Sequence, residues 1–421
     1  MPKRVQSSVL WLLGFFLLAN VYLLPGIVEF RATDALGIVL GLWLLWRFFT
    51  RGLSVIPFVF LFAFSMIPLF WGLLAFFAGD GTTITYSVRW LLAAAYGGTL
   101  FILAQDLRHR TSLAWGLWWG CVGNIFVLLL HFYDFVQLTQ SIGLAAQTTA
   151  LTNIYELNNI ARAPGMHYHP NASAAIVSLV VPLSLYLYYT RRAGIWIILV
   201  GLSVLVAGTE FTLSRSPILV SLATILVVTL TNKKLASSLR VLSLLTLGGL
   251  VTLYWVGPPG GWQRWAEPGD IRANGGGRIQ STLEGLRISI EHPWGTGNDI
   301  GQEALRRAGV VATHDAFVQV AIVYGLLFAV ALASLILLLA LQPLVSSRTT
   351  WRLESALACQ LFVLFLWEEH LNSASFIVLA SWLLTTSIAQ ISSSLKQRPS
   401  TDEYDRSNVL EKPAEKKLQV R

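Results

Sequence analysis

Charged residues are scarce in this chain. Only 12% of its 421 residues are charged, whereas 55% are hydrophobic and the mean hydropathy is +0.62. A soluble domain normally carries about twice that charged fraction, so the composition excludes an ordinary soluble enzyme or binding module. Apolar runs of about 17 to 25 residues recur instead, and each is long enough to cross a bilayer as a helix.

Cysteine is also nearly absent, because the chain has only Cys121 and Cys359. Both lie inside apolar runs without a CxxC spacing, so neither a disulfide framework nor a cysteine-based zinc site is expected. The first apolar run follows Pro2-Lys3-Arg4 but lacks an A-x-A cleavage pattern. We therefore predict a first transmembrane helix there, not a cleaved signal peptide.

The apolar runs predict an all-α, polytopic membrane protein with about twelve transmembrane helices, because unsatisfied backbone groups are costly in lipid. The predicted spans are 7–24, 33–49, 55–78, 86–104, 112–134, 171–190, 194–212, 216–231, 241–257, 314–341, 353–373 and 374–394. They form one transmembrane domain, 1–394, with larger loops at about 135–170 and 257–313. The polar segment 395–421 is predicted to be a disordered cytosolic tail.

The cations of the short loops predict the orientation of these spans. Every second loop is rich in Lys or Arg, which favours a cytosolic N-terminus and a cytosolic C-terminus. These cations are Arg47, Arg51, Arg108, Arg110, Arg191, Arg192, Lys233, Lys234, Arg240, Arg348 and Arg352. This placement explains the net charge of +8 without nucleic acid as a partner. The partner that it indicates is the lipid bilayer.

The external loop 257–313 contains arginines but no lysine and includes a predicted Gly-rich turn, Gly275–Gly277. Apolar residues recur after this turn at spacings of four, three and four: Ile279, Leu283, Leu286 and Ile290. This spacing predicts an amphipathic helix that ends before Pro293, and one interpretation is a helix lying on the bilayer surface. Asp299, at capping-box spacing from Gln302, predicts a second short helix, which Gly309 would end.

Three polar motifs precede predicted helices on the external face. The first runs from Ala161 to Ser173, the second from Thr212 to Pro217, and the third from Thr313 to Asp315. Helix N-termini carry partial positive charge and unpaired N–H groups, and arginine binds phosphate through two parallel hydrogen bonds. Together the motifs predict a binding site for a strongly anionic ligand.

Each of these residues also has a simpler interpretation. Arg215 could pair with Glu210, Arg162 and Arg278 could be solvated loop cations, and His314 could be an interfacial histidine. His167 and His169 resemble a metal-binding pair, but no third ligand lies nearby in the sequence, so we expect no metal there. Acidic and histidine side chains at 368–370 end an apolar run, and the sequence does not decide whether they are functional.

The motifs as a set resemble the O-antigen ligase and O-antigen polymerase superfamily of bacterial membrane glycosyltransferases. The resemblance covers roughly Arg162 to Leu341. The matching residues are Arg162, Pro170-Asn171, Ser214-Arg215, Arg278, His292–Gly297, His314 and Tyr324-Gly325-Leu326. Asp315 departs from the pattern, because the family commonly has asparagine after this histidine, and the subfamily is therefore less certain.

The resemblance implies transfer of a glycan from undecaprenyl diphosphate to an acceptor hydroxyl, on the periplasmic face of the bacterial inner membrane. In ligases the acceptor is a sugar of lipid A-core, and in polymerases it is another lipid-linked repeat. The ligase-like mechanism requires neither a nucleotide sugar nor a metal, so no cofactor is expected. The moderate length and compact second loop favour a ligase, with a polymerase or a transporter of an anion or lipid-linked glycan as alternatives.

This chemistry assigns expected roles to the polar residues. His314 would be the general base, since histidine is the side chain best matched to neutral pH. Arg215 and Arg278 would bind the diphosphate, with Arg162 as a third candidate, because fixed cations stabilise a departing anion. The residues expected to face the substrate are His167, His169, Asn171 and Asp315. The sequence leaves the oligomeric state open.

Overall fold

The computed structural model describes most of the chain, and every structural statement below concerns that part. The described residues are 3–23, 30–51, 55–145, 155–157, 160–167, 169–214, 216–231, 268–310, 313–345, 353–366 and 373–396. They are mainly helical, as predicted, with one short antiparallel hairpin. The predicted span 241–257, Arg215, residues 368–370 and the tail beyond 396 lie outside them.

The N-terminal part of the chain forms ten of the described helices and the hairpin. They are α1 (Lys3–Leu18), α2 (Ala32–Arg51), α3 (Val55–Ala78), α4 (Gly81–Leu103), α5 (Leu107–Phe132), α6 (Val136–Ser141), β1 (Tyr155–Leu157), β2 (Ile160–Arg162), α7 (Pro170–Ser178), α8 (Val180–Tyr189), α9 (Trp196–Thr212) and α10 (Ser216–Thr231). In the hairpin, Tyr155 pairs with Arg162 and Leu157 with Ile160.

The C-terminal part contributes the remaining described helices. They are α11 (Pro268–Glu291), α12 (Asn298–Arg307), α13 (Ala316–Tyr324), α14 (Leu326–Val345), α15 (Leu353–Phe365) and α16 (Ala374–Lys396). The predicted span 314–341 is therefore two helices, α13 and α14, which Gly325 separates. Likewise, the predicted span 171–190 is divided at Leu179 into α7 and α8.

Five stretches of the described chain are long and apolar enough to cross a membrane. They are Ala32–Thr50, Leu61–Ala78, Gly81–Leu103, Leu107–Phe132 and Pro170–Tyr189. Shorter apolar helices of 10 to 17 residues accompany them. Helices overlap every predicted span within the described residues, which agrees with a helical protein in a lipid bilayer. The total of about twelve crossings stays a prediction.

The end of the helix bundle that carries the predicted external segments is here called the loop end. There the α3–α4 turn contacts the start of α12, since the hydroxyl of Thr83 accepts a hydrogen bond from the Asn298 amide at 2.7 Å. At the opposite end, the Nε of Arg110 lies 3.0 Å from the Oε1 of Glu354. This buried ion pair joins the start of α5 to the start of α15, two segments that the sequence places together in the cytosol.

Proline explains the interruption between α7 and α8. Pro182 has no backbone N–H, so it cannot donate to the carbonyl of Ser178 one helical turn earlier. The side-chain amide of Gln360 on α15 donates to that carbonyl at 3.4 Å and to the Ser178 hydroxyl at 2.9 Å. A neighbouring helix thus partners a backbone group that would otherwise be costly in an apolar interior.

The structure corrects two expectations for the loop 257–313. The glycines at 275–277 form no turn, because helix α11 runs continuously from Pro268 to Glu291, and Arg278 therefore lies within this helix and not at its start. The second helix is confirmed, and it ends before Gly309 at φ +76°. Its N-cap is Gly297, however, so the predicted capping box starting at Asp299 is wrong.

Candidate functional site

A corner at the loop end joins two of the predicted motifs, and Arg162 is its centre. Arg162 is only 9% exposed. Its Nε donates to the carbonyl of Thr212 at 2.8 Å, and its Nη2 donates to the Oδ1 of Asn171 at 2.6 Å. The adjacent amide of Ala163 donates to the carbonyl of Phe211 at 2.9 Å. These contacts fix the plane of the guanidinium between α7 and α9, so Arg162 is not a solvated loop cation.

The start of α7 is built from the predicted substrate-facing residues. His169 is the N-cap, and its Nδ1 accepts a hydrogen bond from the Asn171 amide at 3.1 Å. Pro170 at the first helical position has no N–H that needs a partner. His167 is 1% exposed, and its amide donates to the Ser173 hydroxyl at 3.4 Å. His167 and His169 therefore stabilise the local structure, while the Asn171 side chain positions Arg162.

The second motif begins where Arg162 makes its contact with α9. That helix ends at Thr212, and Leu213 follows in the left-handed conformation with φ +51°. The Ser214 and Ser216 hydroxyls lie 3.3 Å apart on either side of position 215. Arg215 itself is outside the described residues. Its described neighbours Ser214 and Ser216 lie close in the chain to Thr212, whose carbonyl accepts from Arg162.

A buried polar network on α5 supports the corner, and the sequence analysis did not predict it. The Oδ1 of Asn124 accepts from the Met166 amide at 3.1 Å, and its Nδ2 donates to the Ser173 carbonyl at 3.2 Å. The Nδ1 of His131 accepts from the Gly165 amide at 3.1 Å. Asn124 is a polar residue inside an apolar run, and this position in the sequence could have indicated a buried polar contact.

The third motif lies at the start of α13. Asp315 is its N-cap, and the Oδ1 of Asp315 accepts from the Val318 amide at 2.9 Å. Thr313 is fully buried, with its hydroxyl 3.0 Å from the Oε1 of Gln319. His314 stands between these two buried residues and is itself partly exposed. The Asp315 cap and the buried Thr313 hydroxyl therefore hold the backbone on both sides of His314.

Arg278 belongs to the helix that packs on this motif. A Cβ on Gly285 of α11 would lie 2.5 Å from the Val318 side chain and 2.7 Å from that of Thr313, so α11 and α13 touch closely there. Arg278 precedes Gly285 by seven residues, or two helical turns, and therefore lies on the same side of α11. It is partly buried. This arrangement places Arg278 on the side of α11 that faces the His314 motif.

A clasp of backbone hydrogen bonds fills the interruption between α13 and α14. The Thr296 amide donates to the carbonyl of Ile322 at 2.7 Å, and the Leu326 amide donates to that of Pro293 at 2.8 Å. Gly325 has φ +105° and ψ 151°, a conformation nearly restricted to glycine. The clasp therefore joins the stretch 292–297 to Tyr324-Gly325-Leu326, two of the features that carried the resemblance.

The α3–α4 turn holds the segment after the clasp. The Asp80 carboxylate accepts from the Thr83 amide at 2.8 Å and from the Asp299 amide at 3.3 Å, so it caps α4 and α12 together. Burial alone would raise the pKa of Asp80. Hydrogen bonds from the hydroxyl and amide of Thr83 and from the Asp299 amide outweigh that effect and lower the pKa below its usual value.

An open cavity of about 740 Å³ lies between α11 and α12. Its lining contains carboxylates, guanidinium groups, an imidazole and a few apolar side chains. The lining residues are Glu284, Arg287, His292, Asp299, Ile300, Glu303, Ala304, Arg307 and Ala308. Arg287 pairs with Glu284, which lowers the pKa of that carboxyl, and Arg307 pairs with Glu303. With its charges nearly balanced, the cavity suits a neutral polar ligand better than a phosphate.

The described contacts thus form two groups. Arg162, Asn171 and Thr212 make one, and the start of α13 at Thr313 and Asp315, against which α11 packs at Gly285, makes the other. The groups are linked indirectly. Helix α7 packs on α10, α10 packs on α15, and the ring of Phe317 on α13 contacts those of Phe362 and Phe365 on α15 at tilted and edge-to-face angles. Direct contact of His314 with the arginines stays a prediction.

Neither a family model nor a curated protein matches the chain. Within the described residues, no group of three or more His, Cys, Asp or Glu side chains could hold a metal ion. The two groups of side chains are therefore the features that indicate which reaction this protein performs.

Proposed function

We propose that this protein is a membrane glycosyltransferase of the ligase type. It moves a glycan from undecaprenyl diphosphate to a sugar hydroxyl of lipid A-core, on the periplasmic face of a bacterial inner membrane. The observation that carries the proposal is the corner at the loop end, where Arg162 is fixed by Asn171 and by the last turn of α9. A preorganised guanidinium beside the start of α7 is suited to an anion that forms during a reaction.

The diphosphate is the leaving group in this reaction. The bond between the anomeric carbon and the diphosphate oxygen breaks, and the electron pair stays on the departing undecaprenyl diphosphate. Arg162, Arg215 and Arg278 stabilise that charge in the proposal. Because buried or partly buried cations act in a low dielectric, they stabilise an anion far more than solvated cations do. The 9% exposure of Arg162 supports this role.

His314 is the proposed general base. It takes the proton from the acceptor hydroxyl as that oxygen forms the new glycosidic bond. The buried neighbours Thr313 and Asp315 hold its backbone, and histidine is the side chain best suited to take a proton near neutral pH. The cavity between α11 and α12, on the same end of the bundle, is the proposed location of the acceptor saccharide.

Two interrupted helices, α7–α8 and α13–α14, favour a transporter as the second candidate, because transporters often bind their substrates at such breaks. Here protein atoms already occupy both breaks. Gln360 partners the carbonyl at the first, and the 293–296 backbone partners the second. Because the backbone groups at both interruptions already have protein partners, they are not available to coordinate a substrate. The glycosyltransferase is therefore the better-supported function.

The test is transfer by the purified protein in nanodiscs. It receives undecaprenyl-diphosphate-linked glycan, with and without lipid A-core, in the presence of EDTA. We expect product only when lipid A-core is present, and a loss of about 10²-fold or more in the His314→Ala variant, the usual contribution of general-base catalysis. Gln302→Ala, a change of a partly exposed residue on α12 outside the cavity lining, is the control.

Other outcomes separate the alternatives. Longer lipid-linked glycan without lipid A-core identifies a polymerase and leaves the site unchanged. Near-normal transfer by a folded His314→Ala protein contradicts the assigned base. A folded protein that yields no product from an authentic donor contradicts the enzyme proposal, and glycan or anion flux in liposomes then tests transport.

A further inference from the structure

Helix α11 has three distinct sides over its C-terminal half. The side that packs on α13 is made of small residues and one isoleucine, and all are buried: Ser281, Gly285, Ile288 and Ser289. A second side carries Glu284 and Arg287 and faces the cavity toward α12. The third side is the apolar stripe that the sequence spacing identified: Ile279, Leu283, Leu286 and Ile290.

The apolar stripe does not face the protein. Ile279 is 64% exposed, Leu283 61% and Ile290 68%. The helix thus packs on the bundle with its less apolar side and leaves its most apolar side outward. In water, a contiguous aliphatic surface of this kind is unfavourable and marks an interaction surface. Something apolar must therefore cover the stripe in the working protein.

The position of the stripe identifies what covers it. Directly after α11, Trp294 is 76% exposed, and its carbonyl accepts a hydrogen bond from the Nε1 of Trp71 at 3.2 Å. Trp71 lies on the stretch Leu61–Ala78, one of those that can cross a membrane, and its neighbours Phe70 and Phe77 are 59% and 80% exposed. Through Trp294, the end of α11 that carries Ile290 is joined to a helix that can cross a membrane, and tryptophan is typical of a bilayer interface.

We propose that α11 is an interfacial helix whose stripe lies in the lipid leaflet at the loop end of the bundle. Seated in this way, the helix holds its charged side, and the cavity toward α12, at the level of the lipid headgroups. The proposal does not depend on the enzymatic function, because it follows from the orientation of α11 and from its junction with α3 through Trp294.

Single cysteines distinguish the sides of the helix. Cys121 and Cys359 are buried, so a thiol-reactive fluorophore would label an introduced cysteine selectively, with the unchanged protein as the labelling blank. Leu283→Cys places the label on the stripe. Gln280→Cys, also exposed and three residues earlier on the polar side, is the matched control. The labelled proteins are reconstituted in nanodiscs of phosphatidylcholine with or without brominated acyl chains.

We expect brominated chains to quench the label at 283 strongly and aqueous iodide to quench it weakly, with the reverse at 280. Equal iodide quenching at both positions would show that the stripe faces water and would overturn the proposal. Protection at 283 from both quenchers, together with cross-linking of two copies through that cysteine, would show that a second copy covers the stripe and would also overturn it.

Discussion

The corner and the clasp hold neighbouring parts of the loop end by different means. At the corner, side chains make the contacts. Arg162, Asn171 and Asn124 each form a side-chain hydrogen bond to a group on another segment. At the clasp, the partners are backbone groups of 293–296 and 322–326, and glycine permits their approach. A side-chain contact can be removed one atom at a time, whereas a backbone contact depends on the conformation of the whole segment. The two regions should therefore respond differently to substitution.

The largest effect is expected at the clasp, in Gly325→Ala. A Cβ there would lie 3.0 Å from the carbonyl oxygen of Pro293, at φ +105°. Backbone strain and crowding together should lower the free energy of unfolding by about 2 to 4 kcal/mol. Thermal unfolding in detergent, followed by size-exclusion chromatography, measures this loss.

Substitutions at two other glycines separate the effect of backbone strain from the effect of crowding. Gly309→Ala has a positive φ but open space around it, and Gly81→Ala has neither problem. We expect the order of stability to be Gly81→Ala, then Gly309→Ala, then Gly325→Ala. If Gly325→Ala were as stable as Gly81→Ala, the clasp would not be a tight backbone contact.

The second effect is expected at the corner, in Asn124→Ala. This change removes the acceptor of the Met166 amide in a fully buried environment. An unpartnered buried N–H costs about 1 to 3 kcal/mol, so the protein should unfold at a lower temperature but still fold. Ser112→Ala, on the same helix but half-exposed, should change stability by no more than about 0.5 kcal/mol. Similar values for the two variants would argue against the network.

The smallest effect is expected at Asp80, which caps two helices near the clasp. Asp80→Ala removes the cap of α4 and the contact with α12 and should cost about 1 to 2 kcal/mol. Asp106→Ala is the matched control, because Asp106 caps α5 alone at the opposite end. The cost should be smaller in the control, and equal costs would mean that the Asp80 contact with α12 contributes nothing.

The lowered pKa of Asp80 adds a pH dependence to this comparison. A carboxyl with a lower pKa in the folded state stabilises the protein fully above its unfolded pKa, and this stabilisation is lost as the pH falls through the folded pKa. Unfolding measured from pH 6 downward should therefore show a loss on acidification that is smaller in Asp80→Asn. An unchanged pH profile in that variant would contradict the assignment.

Local sequence signals predicted much of the helical framework. Composition and the length of the apolar runs predicted the helical fold. Pro293 and Gly309 marked helix ends correctly, because such signals depend on residues close in the chain. The resemblance also singled out the two stretches that form the clasp, although their contact could not be read from spacing. Asn124 and Asp80 were missed because their partners lie far away in the sequence.

The sequence alone determined that α11 is amphipathic, since the period of its apolar residues requires only the geometry of a helix. Only the tertiary structure decided how that helix is oriented. Its small residues allow the close approach to α13, so the apolar stripe faces outward. The tertiary structure also decided that the predicted span 314–341 is interrupted at Gly325. This interruption depends on hydrogen bonds from the distant segment 293–296. Periodicity predicts which residues share a side of a helix, but packing against neighbours decides where that side points.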